Sequence, residues 1–405
     1  MASVAPPTDD PLLRPAIKVG PGMSRRWRRG HPWLFSNEIE MTAQAKELPR
    51  GTLVTVVDAG GERLGVGTFN AHSLIAVRLL SRDSATVVDA GFLALRLRAA
   101  LALREIVVAA PCYRLVHSEA DGLPGLVIDR FGDVVSCQVN SAGMERLLPA
   151  LLTAIEAVLA PRAVVLDNDT PVRELEGLDS YHRVATGELN GPVELVENGV
   201  RFLADLDGGQ KTGWFYDQRD NRAFVARLAR GQRVADFFSY AGGFAIQAAA
   251  AGASEVTLVD RSEAALALAE QAAALNGVAP VCRFVRAEAF AEMARRVAAG
   301  ERFGVVVCDP PAFVKSRKDL ATGLKGYRKM ARLAAALVAP GGFLFAASCS
   351  HHVTADAFAE EITRGVALAD RGCRIMRAAG AAPDHPLHPA LPESAYLKAL
   401  VLHLD

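Results

Sequence analysis

Arg233-Val234-Ala235-Asp236-Phe237-Phe238-Ser239-Tyr240-Ala241-Gly242-Gly243-Phe244 is a short apolar run that breaks into a turn carrying two adjacent glycines. Paired glycines let backbone approach a ligand and open a helix. Downstream, apolar runs at Glu255–Asp260, Cys282–Arg286, Gly304–Cys308 and Gly342–Ala347 alternate with helical patterns such as Ser262–Asn276 and Gly326–Val338. Successive buried strands joined by helices demand a parallel sheet with helices on both faces. The end of the chain departs from that rhythm. Cys373–Ala378 and Ala395–Leu402 are two late strand patterns joined by a loop with Pro383, Pro386, Pro389 and Pro392. That loop is too poor in helix signal for a right-handed crossover, so the terminal strand is expected to run antiparallel.

Upstream of the quoted stretch, Asn198-Gly199 between Glu194–Glu197 and Val200–Leu206 predicts a two-residue hairpin, which opens a third domain at 191–405. At 405 residues the chain exceeds what one core usually serves. Residues 86–190 read as a middle α/β domain, with helical patterns at Phe92–Ala110 and Met144–Leu159 and strands at Leu126–Asp129, Val134–Val139 and Ala163–Leu166. Residues 14–85 carry short runs such as Leu53–Val57 and Ile75–Leu80, punctuated by Gly60-Gly61 and Gly65, and predict a small β-rich module. Residues 1–13 form a polar, turn-rich leader expected to be disordered, with no signal-peptide pattern.

Hydrophobic residues make up 51% of the chain, but charges interrupt every apolar stretch before the roughly 20 residues needed to span a bilayer. The expectation is a soluble, cytoplasmic protein. Cys112, Cys137, Cys282, Cys308, Cys349 and Cys373 are scattered without a CxxC pair or zinc spacing, so they predict reduced thiols and no metal. Lys plus Arg (45) equals Asp plus Glu (45), so any attraction to nucleic acid must be local. Between Arg14 and Asn37, Arg25, Arg26, Arg28 and Arg29 sit with Trp27 and Trp33 and no acidic residue, a composition suited to phosphate contact and base stacking. The plainer alternative is a solvated basic turn.

Ligands of such sheets lie outside the carboxyl ends of the strands, near the reversal of strand order. The turn with Ser239, Gly242 and Gly243 falls at one such end; it is not GxGxxG, which argues against a nicotinamide cofactor. Asp260 closes the second strand, placed to accept from ribose hydroxyls. Glu288 follows the third, where a carboxylate could accept from an adenine amine, and Asp309 closes the fourth. Any one of these carboxylates alone is more often a helix cap. Together they favour an adenosyl ligand, and a parallel sheet with an antiparallel last strand is the Rossmann-like class I methyltransferase arrangement.

Asp309-Pro310-Pro311-Ala312-Phe313 and Ser348-Cys349-Ser350 follow the fourth and fifth strands and should share a pocket. Two prolines fix φ and stiffen the loop. Carbon 5 of cytosine is a poor nucleophile unless a thiolate first adds to carbon 6, and Cys349 supplies a thiol at the right place. An ordinary thiol, with a pKa of about 8.5, is mostly protonated at neutral pH, and His351, His352 and Lys315 are candidates for depressing it. Asp309 would hold the N3 and amino edge of the base. Two adjacent histidines without further ligands do not make a metal site.

The run Lys211–Arg222, the turn Phe238–Phe244, Asp309–Phe313, Ser348–Ser350, Asp384-His385-Pro386 and Arg29–Asn37 resemble the bacterial 23S ribosomal RNA cytosine-5 methyltransferases that carry an N-terminal PUA domain. The resemblance covers nearly the whole chain. It implies a PUA RNA-binding barrel, a middle α/β domain and a methyltransferase domain that uses S-adenosylmethionine. It further implies that Thr212, Asp217 and Arg219 help enclose the cofactor, that Asp260 holds the ribose, that Cys349 is catalytic, and that large-subunit ribosomal RNA is the partner. Glu288 stands where an aspartate is common. No second cysteine follows the Asp-Pro-Pro loop, so product release must be assisted by another group. A same-fold enzyme acting on a guanine nitrogen and a non-catalytic RNA-binding assembly factor remain alternatives, and a homodimer is left open.

Overall fold

A computed structural model describes residues 9–207 and 213–405. Its contacts divide the chain into two compact units. One holds the described residues of Met1–Val193 and Asp205–Trp214 together with Asp384–Pro392; the other holds Glu194–Ala204, Phe215–Pro383 and Glu393–Asp405.

The first unit contains two sheets. Strands β1 (Ala16–Lys18), β2 (Trp33–Phe35), β3 (Thr52–Val57), β4 (Arg63–Phe69) and β5 (Ile75–Ser81) form the order β1-β3-β4-β5-β2. They close on a core of Val19, Trp27, Leu34, Val54, Val56, Phe69 and Val77. Trp27 therefore does not face a nucleic acid: it is 1% exposed, and its indole N–H donates to the Leu64 carbonyl. An indole costs least where its ring is buried and its one donor is satisfied. The described part of the expected leader starts at Asp9, whose carboxylate pairs with Arg14 and accepts from Val88 N at 2.8 Å. From there on the segment is anchored rather than disordered.

The second sheet is β6 (Cys112–His117), β7 (Leu126–Phe131), β8 (Val134–Val139), β9 (Ala163–Asn168) and β10 (Tyr181–Gly187), ordered β10-β9-β8-β7-β6. Helices Ala90–Val107 and Leu148–Leu159 bury Leu93, Leu97, Leu151 and Ile155 against it. The single helix expected at Met144–Leu159 is two, Ala142–Arg146 and Leu148–Leu159, because Pro149 starts the second rather than continuing the first. The two strands missing from the sequence reading, β6 and β10, are the sheet's edges, where polar residues blur the apolar signal.

β11 (Val193–Glu197), in the second unit from Glu194 on, and β12 (Val200–Ala204) make the expected hairpin, with Asn198 at φ 52° and Gly199 at φ 78°. Two consecutive left-handed residues are what a tight turn matching strand twist requires. The main sheet holds β13 (Arg233–Phe237), β14 (Glu255–Asp260), β15 (Cys282–Arg286), β16 (Phe303–Cys308), β17 (Val338–Ser348), β18 (Cys373–Ala379) and β19 (Lys398–Leu404). Their order is β15-β14-β13-β16-β17-β19-β18. Strands β13 to β17 are mutually parallel, and β19 inserts antiparallel between β17 and β18. Strand order reverses between β13 and β16, which puts their carboxyl ends at the place where such sheets bind ligands.

One helix starts earlier than its sequence pattern. Leu320–Leu337 takes in Gly323 as well as Gly326, where the expected pattern began; the turn ahead of Gly326 read as loop because glycine weakens a helix by about 1 kcal/mol relative to alanine. Packing accounts for both: a Cβ on Gly323 would lie 2.3 Å from Val314 Cγ2, and one on Gly326 would lie 3.1 Å from Phe313 Cδ2. The helix gives up propensity to lie flush against the loop that follows Asp309.

Candidate active site

The turn after β13 is built under strain. Phe238 (φ 64°) and Tyr240 (φ 48°) both occupy the left-handed region, which costs a residue with a Cβ about 1–3 kcal/mol. Asp260 at the end of β14 holds this shape by accepting from Tyr240 N through Oδ2 and from Ser262 N through Oδ1, each at 2.9 Å. Gly242, at φ 81°, then begins the helix Gly243–Ala250. Gly243 is small for a structural reason: a Cβ there would meet Arg222 Nε at 2.6 Å. Arg222 in turn pairs with buried Glu197 at 2.8 Å, tying the hairpin to this helix.

Around the turn, three buried oxygens have no hydrogen-bond partner among the described residues: Asp236 Oδ1, Ser239 Oγ and Asp217 Oδ1. An unmade buried hydrogen bond costs about 1–3 kcal/mol, so these atoms suit a ligand that brings donors. Asp236, inside β13, accepts from Ala245 N at 3.1 Å through its other oxygen. Burial, then the neighbouring charge of Asp309, pushes its carboxyl well above the usual carboxylate range. A cationic ligand would relieve that crowding. Asp217 is buried and accepts from the Tyr396 hydroxyl at 2.6 Å. Arg219 is buried too, with its guanidinium 5.3 Å from the Tyr216 ring centre. Glu288, by contrast, is exposed and caps the helix Ala289–Ala298 by accepting from Ala291 N at 2.8 Å. Thr212 lies outside the described residues.

Asp309 and Cys349 stand at the ends of adjacent parallel strands, with Cys308 paired to Ala346 across them. A chain of hydroxyls fastens the two loops together. Ser348 Oγ donates to Tyr327 Oη at 2.7 Å, Tyr327 Oη and Ser350 Oγ lie 2.8 Å apart, and Val314 N donates to Ser350 Oγ at 3.2 Å. The Phe313 ring packs 4.7 Å from that of Tyr327 and 5.9 Å from that of Phe290. Cys308 packs in the core, where burial pushes its thiol well above the ordinary range, whereas Cys349 is half-buried. The candidates near it differ. Burial first, with the charges of Lys398 and His352 adding to it, holds the His351 imidazole below its ordinary value. Lys315 and His352 are exposed. Among the described residues no cluster of His, Cys, Asp or Glu is arranged to hold a metal ion, and no helix is long and apolar enough to cross a membrane.

Residues 146–402 match the family described as S-adenosylmethionine-dependent methyltransferase. The chain belongs to that family. Residues 17–82 of this methyltransferase match a PUA-like domain. Its relatives include proteins named ribosomal RNA large subunit methyltransferase I: one from Shewanella denitrificans is 36% identical over 390 residues, spanning 95% of this chain and 98% of its own. Another from Photobacterium profundum is 36% identical, spanning 96% and 99%. Among solved structures, that of SMU.776 in complex with SAH superposes with a TM-score of 0.81 at 19% identity, covering 96% of this chain and all of its own. At that identity the likeness speaks for the fold. The methyltransferase uses S-adenosylmethionine, and its fold is an α/β sheet preceded by a PUA-like module.

The sequence reading missed Asp236, Tyr327, Tyr396 and Lys398. Asp236 sat inside an apolar strand and read as part of it. The others lie on elements remote in sequence from Cys349, and only the strand pairing brings β19 beside β17. The basic cluster is divided by its neighbours. On the helix Ser24–Arg28, Arg26 pairs with Glu38 at 3.2 Å, and Arg28 pairs with Asp58 at 2.8 Å and Glu62 at 2.7 Å. Arg25 and Arg29 are exposed and pair with no carboxylate among the described residues. Trp33 is half-buried, donating to Glu119 at 2.8 Å.

Proposed function

We propose that this methyltransferase acts on large-subunit ribosomal RNA and places a methyl group on carbon 5 of a cytosine through a covalent bond to Cys349. The carrying observation is the half-buried thiol of Cys349, set at the strand end next to Asp309 and fastened to the Asp-Pro-Pro loop through Tyr327 and Ser350. The names of its relatives support ribosomal RNA as the substrate. Such a substrate places the enzyme in the cytoplasm, with residues 14–85 as the RNA-binding module, 86–190 as the middle domain and 191–405 as the methyltransferase domain.

Asp217, Arg219, Thr212, Ser239, Gly242, Gly243, Asp236, Asp260 and Asp309 would enclose the cofactor. Glu288, committed as a helix cap, has one carboxylate oxygen engaged and contributes at most through the other. When bound, S-adenosylmethionine supplies an electrophilic methyl on a sulfonium. The Cys349 thiolate adds to carbon 6 of the base, and the electron pair displaced from the C5–C6 bond makes carbon 5 nucleophilic toward that methyl. Asp309 holds the N3 and amino edge while this charge develops. Loss of the carbon 5 proton to a base then re-forms the double bond and expels the thiolate.

Cys349→Ala is expected to abolish transfer from labelled cofactor to unmodified ribosomal RNA while cofactor affinity stays near wild type. RNA bearing 5-fluorocytosine, which cannot lose a proton from carbon 5, should trap a protein–RNA adduct through Cys349. Full turnover by Cys349→Ala would refute covalent catalysis and point instead to methylation of a guanine nitrogen. Absence of any transfer by the wild type would point to a binding factor.

A further inference from the structure

Lys398 opens β19 and pairs in register with Ser348, the last residue of β17. Only 9% of it is exposed. Its Nζ donates to the Ser350 carbonyl at 2.6 Å and to the Tyr396 carbonyl at 2.7 Å. These bonds fix the ammonium against the Ser350–His351 peptide, one residue beyond Cys349. Both acceptors are neutral, and no carboxylate lies within ion-pair distance of Lys398 among the described residues. A buried cation in that position lacks a counter-ion, and the usual resolution is a nearby anion or loss of the proton. Burial does lower the ammonium's affinity for its proton, and the acidic group that works against that lowering is the Cys349 thiol. The influence is reciprocal: whatever a thiolate does to hold a proton on lysine, the ammonium does to keep the proton off sulfur.

Among the described residues, the other groups on the elements around Cys349 are poorer sources of positive charge. Tyr327, on the helix Leu320–Leu337, is pushed up by burial and stays neutral. His351, on the same loop as Cys349, has its hold on a proton lowered by burial, and its ring lies 5.4 Å from that of Tyr396. The Tyr396 hydroxyl is committed to Asp217, and His352 is exposed to screening solvent. Asp309, at the end of the neighbouring strand, carries the wrong sign. Among the described residues, Lys398 is the cation anchored on this loop.

We propose that Lys398 is a positioning residue whose ammonium, anchored on the carbonyls of Ser350 and Tyr396, is the counter-charge for the thiolate of Cys349. This rests on the reading of Cys349 as the nucleophile. The ammonium keeps its proton throughout; it stabilises the sulfur anion before addition to carbon 6 and again when that anion is expelled. It thereby takes up the assistance to product release that the absence of a second cysteine leaves unassigned.

The test uses the full chain without RNA. Alkylation of Cys349 by iodoacetamide is followed against pH by mass spectrometry of the peptide that contains it, with melting temperature as the check on folding. The wild-type midpoint is expected below that of an ordinary thiol, about 8.5. Lys398→Met and Lys398→Gln should move it upward, cutting the rate at neutral pH about tenfold for each unit; Lys398→Arg should largely restore it. The pH profile of kcat/KM should shift with the same variants. An ordinary midpoint in the wild type, or one unchanged in a folded Met or Gln variant, overturns the assignment. Covalent catalysis falls separately, through retained turnover in Cys349→Ala.

Discussion

Asp236 shows how a single side chain can trade stability for a site. Its carboxyl is fully inside the sheet, crowded by Asp309 and then Asp260, with one oxygen unpartnered among the described residues. Because burial and like charge raise its folded pKa, its contribution to stability is complete below the ordinary aspartate value and is lost as pH rises through the raised one. Asp236→Asn removes that loss. The variant should melt close to the wild type near pH 4 and above it at neutral pH, by a few degrees, since 1 kcal/mol moves Tm by about 2–4 °C at this domain size. Thermal melts across pH 4–8 check the sign, and a constant gap would show that the carboxyl does not titrate against folding. The same substitution should weaken binding of the cationic cofactor more than that of its neutral demethylated product. Asp260 and Asp309 announced themselves in the sequence by standing at strand ends. Asp236 did not, because one acidic residue in an apolar strand looks like any other strand position until its neighbours are known.

At the scale of elements, the alternation of apolar runs and helical patterns made β13 to β17 readable, and the proline-rich loop made the antiparallel β19 readable. Local periodicity could not show that helix Leu320–Leu337 takes in Gly323 ahead of Gly326, because the reason lies in another element. Gly323 tests that reason. By propensity alone, Gly323→Ala should stabilise the helix by about 1 kcal/mol. The new methyl would instead lie 2.3 Å from Val314 Cγ2 and 2.9 Å from the Phe313 carbonyl oxygen, and relieving such contacts costs about 1–3 kcal/mol. The expected outcome is a lower Tm and a kcat reduced about tenfold or more, since ångström displacements at a reacting centre cost on the order of 10²-fold. Cofactor affinity should change little. A variant that is more stable and equally active would mean that the loop after Asp309 is not held by this helix. The edge strands β6 and β10 escaped the sequence reading for a related reason: edges are specified by the strand they pair with more than by their own pattern.

For the molecule as a whole, 45 basic residues balance 45 acidic ones, so any attraction to RNA would come from where unpaired cations stand rather than from net charge. The sequence singled out Arg25, Arg26, Arg28 and Arg29 as one cluster, but pairing divides it. Glu38 answers Arg26, and Asp58 with Glu62 answers Arg28, through contacts 12 to 34 residues apart that no local reading supplies. Hydrogen bonding to Glu62 raises the Arg28 guanidinium's hold on its proton and depresses the partner carboxyl, a mutually satisfied pair at the surface. Releasing counterions from a phosphate backbone requires a cation that is not already neutralised. Charge-neutral Arg25→Gln with Arg29→Gln should therefore lower RNA affinity and reduce the slope of log affinity against log salt by about 0.7–0.9 per lost phosphate contact. Arg26→Gln with Arg28→Gln should change that slope less, because each of those side chains would have to leave a carboxylate to reach a phosphate. Binding isotherms of the full chain to a ribosomal RNA fragment, taken from low to physiological salt, compare the two pairs directly. Equal slopes in both variants and the wild type would remove this helix from the RNA-binding surface. A larger change in the paired arginines would show that RNA displaces their carboxylates.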